Sequence, residues 1–190
     1  MASTNRFDAI VIGSGVSGGF AAKELTEKGL RVLMLDRGVM VEHGEDYTYD
    51  GKPAYEVPAR NIMPKPLIES DYFIAKNGYV SPSNRRFYND DRLNPYAHDE
   101  GKEFHWIRPG AVGGKSLIWG RWSFRWSAQD FEANKREGID GDWPIRYDDV
   151  APWYSRVENY IGVSGSRENL PHLPASEVQP PVPVDIAGKW

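Results

Sequence analysis

The sequence predicts an α/β fold, opening on a strand–turn–helix–strand unit with a parallel sheet, and two observations predict it. First, Asp8 to Ile12 reads as a short buried strand, apolar from Ala9 on, and passes directly into the glycine-rich turn Gly13-Ser14-Gly15-Val16-Ser17-Gly18. Second, another apolar run at residues 30–35 follows within about thirty residues and ends in Asp36-Arg37-Gly38, the span of a βαβ unit. Between the two runs, Phe20, Ala21, Ala22 and Leu25 recur at helical spacing until Gly29 stops the helix. A helix joining two parallel strands of one sheet crosses over right-handed.

Composition narrows the classes of function. The 190 residues are 40% hydrophobic and 13% aromatic, ample for a packed core, and the length fits one domain or one domain plus part of a second. A net charge of −4 leaves no basic footprint, so nucleic acid is not an expected partner. The absence of cysteine excludes disulfides, thiolate metal sites and cysteine nucleophiles, and no metal site is expected. No apolar stretch approaches the length of a membrane span. Residues 1–7 are short and polar, and cytoplasm is the simplest location, with export on a signal-bearing partner left open.

Four segments are expected in chain order. Residues 1–38 form the dinucleotide-type βαβ unit. Residues 39–104 are an irregular insertion, because Pro53, Pro58, Pro64, Pro66, Pro82 and Pro95 interrupt any long helix. Residues 105–165 begin with a strand over 103–108, followed by a second glycine-rich turn, Pro109-Gly110-Ala111-Val112-Gly113-Gly114-Lys115-Ser116. A new element opens at Leu117-Ile118-Trp119-Gly120, and a short helix is expected over 130–137. A longer helix starts near Asp148 as N-cap, with Val150, Trp153, Tyr154, Val157 and Ile161 on one face, and ends at Ser164-Gly165-Ser166. Residues 166–190 form an extended, proline-rich tail.

The first turn carries specific chemistry. Gly13 permits the tight turn, Gly15 lets the backbone approach a pyrophosphate, and Gly18 lets the helix pack against the strand. Ser14, Val16 and Ser17 complete a loop whose amides and helix dipole favour phosphate. Asp36 sits about twenty residues on, where a carboxylate accepts from ribose hydroxyls and repels the extra phosphate of NADP. A glycine hexapeptide alone is weak evidence; here the strand precedes it, the helix follows and the acid arrives on time.

The ending Asp36-Arg37-Gly38, together with Asp8 before the strand, resembles FAD-binding oxidoreductases more than NAD dehydrogenases. The run Val112-Gly113-Gly114-Lys115-Ser116-Leu117-Ile118-Trp119-Gly120 resembles the second FAD-contacting loop of the glucose–methanol–choline (GMC) oxidoreductases, nearest the pyranose oxidase and sugar dehydrogenase branch. Asp142-Trp143-Pro144-Ile145, Tyr147, Pro152-Trp153-Tyr154, Glu158 and the run Ile161-Gly162-Val163-Ser164-Gly165 are similar to the segment that follows this loop in the family.

The resemblance implies a Rossmann-like FAD-binding domain and the start of a substrate domain. It places Val112, Gly113, Gly114, Ser116 and Trp119 against FAD, alongside Gly13, Ser14, Gly15, Val16, Ser17, Gly18, Asp36 and Arg37. Pyranose oxidases carry a flavin-linking histidine where Ile118 stands, so the implied FAD is non-covalent. Lys115 replaces a small residue and reads as a solvated side chain.

The implied reaction is oxidation of a sugar or alcohol hydroxyl to a carbonyl by hydride transfer to FAD, with the electron acceptor undetermined. The family's histidine base lies near its C-terminus. None of His43, His98, His105 and His172 matches it, so no catalytic residue is assigned. The C-terminal half of the family fold is therefore expected to lie outside this chain, in a continuing polypeptide or a second subunit. Two alternatives stay open: an oxidoreductase using FAD with NAD(P)H, and a non-catalytic FAD-carrying chain of a split enzyme.

Overall fold

The computed structural model describes residues 6–69, 73–102, 104–168 and 170–183. The chain divides into two compact units, Met1–Gly120 and Arg121–Trp190.

The first unit opens with strand β1 (Ala9–Ile12), helix α1 (Val16–Glu27) and strand β2 (Val32–Leu35). The strands pair in parallel with Ala9 opposite Val32 and Ile12 opposite Leu35. Backbone bonds extend the pairing at both ends, from Asp8 N to Arg31 O (2.8 Å) and from Gly13 N to Leu35 O (2.7 Å). The Asp8 carboxylate also accepts from Arg31 N at 2.8 Å, which locks the register. A Cβ on Gly18 would stand 1.9 Å from the Gly13 carbonyl oxygen, so α1 can lie this close only with glycine there. The βαβ expectation holds, with each strand slightly shorter than its apolar run.

The strands carry apolar side chains on open faces: Ile12 is 85% exposed, and Ile10, Met34 and Leu35 are exposed as well. Parallel sheets ordinarily have both faces covered.

Residues 39–104 contain no long helix among the described residues. Helix α2 is a single turn, Lys65–Ile68, and the other elements are short 3₁₀ turns. Proline explains the brevity, since Pro64 and Pro66 fall at the start of α2 and Pro58 opens the turn Pro58–Asn61. The segment still builds a core of Met63, Ile74, Ala75, Val80 and Tyr88, joined by Leu67 and Ile118.

Two expectations fail here. Residues 104–108 are not a strand, and Glu103 lies outside the described residues. A strand needs a continuous ladder, and this stretch has only isolated bridges beside it. Tyr88 pairs antiparallel with Pro109, and Val39 pairs in parallel with Ala111. The expected element at Leu117-Ile118-Trp119-Gly120 is likewise absent: a 3₁₀ turn, Gly114–Leu117, ends as that run begins.

In the second unit, helix α3 (Ala128–Glu137) starts with a capping box between Ser127 and Asp130 and stops at left-handed Gly138. Helix α4 (Tyr147–Ile161) follows. Its N-cap is Arg146 rather than the expected Asp148. The Asp149 carboxylate accepts from Arg146 N at 2.8 Å, and Asp148 falls within the first turn, where negative charge suits the helix dipole. The helix ends at Gly162 (φ 73°), before the expected Ser164-Gly165-Ser166.

On α4, Glu158 is buried with Arg125 in a bidentate ion pair, with Nε to Oε1 at 2.8 Å and Nη2 to Oε2 at 2.6 Å. Burial pushes the Glu158 carboxyl up, but Arg125 and the Glu177 amide together hold it below the ordinary range. Val150, Trp153, Tyr154 and Val157 line an apolar groove with Trp126, Phe131, Trp143 and Ile145. In the tail, Ser164 bridges Gln179 in parallel, and residues 184–190 lie outside the described residues.

Candidate functional site

The two glycine turns meet within the first unit. Gly15 is the N-cap of α1, and the amides of the first helical turn have no intrahelical acceptor. They belong to Val16, Ser17 and Gly18. A cavity of about 750 Å³ opens in front of the first turn. Ile12, Gly13, Ser14 and Gly15 line it from the first turn, and Leu35, Asp36, Arg37, Gly38 and Val39 from the end of β2. Asn89 and Asn94, Pro109, Gly110 and Ala111, and Gly114 complete the wall.

Close backbone contact brings the second turn here. A Cβ on Gly38 would stand 2.4 Å from the Ala111 carbonyl carbon, and one on Gly114 would stand 3.2 Å from Gly15 Cα. Val39 N donates to Gly110 O (3.1 Å) and Val112 N to Val39 O (2.9 Å), stitching the second turn onto the continuation of β2.

Ser14 joins the two turns. Its hydroxyl donates to Asp36 Oδ2 at 2.5 Å and accepts from Gly113 N at 2.8 Å. Asp36 Oδ2 also accepts from Ser14 N at 2.8 Å, while Oδ1 accepts from Gly38 N at 2.7 Å. The Ser14 hydroxyl, then the Gly38 and Ser14 amides, hold the Asp36 carboxyl below its ordinary range. A carboxylate offers about four acceptor positions, so these bonds leave Asp36 room for one further donor.

The expected site residues therefore fall into groups. Gly13, Ser14, Gly15, Asp36, Arg37 and Gly114 line the cavity together. Val16, Ser17 and Gly18 form the first turn of α1, next to the lining residue Gly15. Val112 and Gly113 act through the backbone, and Ser116 Oγ is engaged locally, donating to Gly113 O at 2.7 Å. Trp119 lines a different cavity, also about 750 Å³, with Tyr47, Tyr88, Leu117 and Ile118. Sequence reasoning did not single out Asn89 and Asn94. They lie in a stretch without periodicity, which the Tyr88–Pro109 bridge and the bonds of Asn89 and Asn94 to Arg108 bring to the wall.

A dinucleotide suits these residues on a structural observation. A Cβ on Gly13 or Gly15 would meet no atom within 4 Å, so the turn leaves open space beside the helix N-terminus, where a pyrophosphate can approach the backbone.

No family model matches the sequence. Among curated proteins, the chain is 28% identical over 181 residues to the fructose dehydrogenase large subunit of Gluconobacter japonicus, covering 91% of this chain and 30% of that protein. It is 27% identical to paromamine 6'-oxidase of Streptomyces fradiae (85% and 24% covered). It is 29% identical to an oxygen-dependent choline dehydrogenase of Pseudomonas fluorescens strain Pf0-1 (82% and 23% covered).

The chain is a relative of the GMC oxidoreductases.

It spans less than a third of the length of these GMC relatives. Among solved structures, pyridoxine 4-oxidase from Mesorbium loti matches with a TM-score of 0.42 and 21% identity, covering 79% of this chain and 24% of that one. Among the described residues, no helix is long and apolar enough to cross a membrane, and no cluster of His, Cys, Asp and Glu could hold a metal ion.

Proposed function

We infer that this chain supplies the FAD-binding part of a GMC oxidoreductase that oxidises a sugar or alcohol hydroxyl to a carbonyl. The observation that carries the reading is the meeting of two glycine turns at one cavity, with a helix N-terminus and an acid at the end of β2 beside it. In this reading the first-turn amides of Val16, Ser17 and Gly18 hold the pyrophosphate. Asp36 takes one ribose hydroxyl through its remaining acceptor position. Gly13, Gly15 and Gly114 keep the backbone clear of side chains, and Ser14 fixes the spacing between the two turns. Val112, Gly113, Ser116 and Trp119 extend the contact surface toward the second cavity.

FAD, when bound, supplies the hydride acceptor for alcohol oxidation. With Ile118 in place of a linking histidine, it is held without a covalent bond. No histidine of this chain is assigned the base, so the proton acceptor comes from polypeptide beyond these residues.

Titrating the purified chain with FAD tests the reading. Quenching of flavin fluorescence, reversed by ADP and released on denaturation, is expected. An absence of quenching at micromolar FAD overturns it, and flavin that stays attached after denaturation overturns the non-covalent assignment.

A further inference from the structure

Arg108 has no place in the dinucleotide motif, yet it is a hub of the cavity's far wall. Its side chain is buried at 6% exposure. Four residues of the 89–96 segment close on it. Asn89 N donates to Arg108 O at 2.8 Å. Arg108 Nη2 donates to the Asn94 backbone carbonyl at 2.6 Å and lies 3.7 Å from Asp91 Oδ1. The guanidinium also sits over the Tyr96 ring at 5.1 Å and the Trp106 ring at 4.2 Å. Tyr96 in turn ties down the approach to Arg108: its hydroxyl donates to Phe104 O (2.7 Å) and accepts from Trp106 N (2.9 Å).

The Asn89 amide completes the cluster. With its oxygen toward the guanidinium, it accepts from Arg108 Nε at 3.1 Å and Nη2 at 2.9 Å. In the opposite orientation both Asp91 oxygens are buried without a donor, a costly arrangement. Burial pushes the Asp91 carboxyl up, against the pull of Arg108 and the Asn89 amide.

Asn89 and Asn94 both line the dinucleotide cavity, while Arg108 does not. The Asn94 side chain makes no hydrogen bond among the described residues, so its amide is available to a ligand. A carboxamide can donate and accept at once, so a purine edge or a ribose hydroxyl uses both of its functions, whereas a phosphate oxygen, which only accepts, uses the N–H alone.

Resting on the dinucleotide reading above, we propose that Arg108 is a positioning residue. It holds Asn94, through its carbonyl, and Asn89 in the wall that receives the adenosine part of the cofactor, whereas the pyrophosphate depends on α1. Loss of the guanidinium frees the 89–96 segment and should weaken recognition of adenosine selectively.

The test uses calorimetric titration of the full chain with ADP and with inorganic pyrophosphate. Arg108→Gln should weaken ADP binding about tenfold or more, with pyrophosphate affinity held within about twofold; tenfold corresponds to about 1.4 kcal/mol. Arg108→Lys should fall between, since it keeps the charge but loses the planar fork. Asn94→Ala removes an exposed side chain without disturbing the buried cluster, so it reports even if Arg108→Gln fails to fold, and it should weaken ADP alone. An Asn94→Ala variant that binds ADP as wild type does overturns the proposal, as does a folded Arg108→Gln that weakens both probes equally. Wild-type protein that binds pyrophosphate but gains nothing from adenosine overturns it and leaves the pyrophosphate reading standing. Wild-type protein that binds neither probe overturns both.

Discussion

Two glycine turns meet at the cavity, and they are held there in different ways. The first is carried by regular structure: β1 leads in, α1 leads out, and parallel pairing with β2 sets its position. Among the described residues, the second has no strand before it and only a 3₁₀ turn after it. It is held by two isolated bridges, by the near contact of Gly114 with Gly15, and by the single bond from Gly113 N to the Ser14 hydroxyl. A turn embedded in local elements folds with short loop closures. One assembled from distant segments depends on long-range contacts that must all be present together.

That comparison can be broken at its strongest point. Gly18→Ala places a methyl 1.9 Å from the Gly13 carbonyl oxygen, with the Val11 side chain at 3.3 Å. A destabilisation of about 3 kcal/mol is expected, together with loss of FAD uptake, measured by urea unfolding and flavin quenching. Unchanged stability would mean that α1 does not pack on β1 as described.

Gly114→Ala acts on the second turn and on its contact with Gly15 of the first. The φ of 56° and the 3.2 Å approach to Gly15 Cα predict a cost of about 1–2 kcal/mol. Because the new methyl meets only the N-cap of α1 and leaves the hydrogen bonds of the helix and sheet in place, far-ultraviolet circular dichroism should stay at its wild-type value while FAD binding weakens.

Ser14→Ala cuts the bond between the turns. It removes the hydroxyl's exposed contact with Asp36 and its half-buried contact with Gly113, each worth about 1 kcal/mol. Paired with Gly114→Ala in a double-mutant cycle, it should show non-additive losses in FAD affinity. Additivity would show that Ser14 does not couple the turns.

The smallest effect is one of pH. The folded Asp36 carboxyl lies below its ordinary value of 3.8, so the ionised form is favoured by folding. Its stabilising contribution is complete above that ordinary value and is lost as pH falls through the lower folded value. Asp36→Asn should therefore flatten the acid limb of a stability-against-pH curve and leave its shape above pH 5 unchanged. Because Asp36 is largely solvated, the difference should be small and shrink with added salt.

Much of the first turn was legible because every contact it needs is near in sequence: strand period, glycine spacing, helix start and the acid are all local signals. The helices of the second unit were legible for the same reason, with errors only at their ends. There the Arg146–Asp149 cap and the left-handed Gly162 decided the boundaries. The expected strand before the second turn failed because apolar and aromatic residues alone do not make a strand. A ladder partner is required, and the described residues offer only single bridges.

The sequence alone determined the βαβ unit, the start of its helix and its acid, because these follow from periodicity and from glycine's lack of a side chain. Only the tertiary structure decided that Ser14 joins the two turns and that Asn89 and Asn94, gathered around Arg108, form the far wall. Those contacts link residues up to 99 positions apart, and no local pattern encodes a pairing whose partners are chosen by packing.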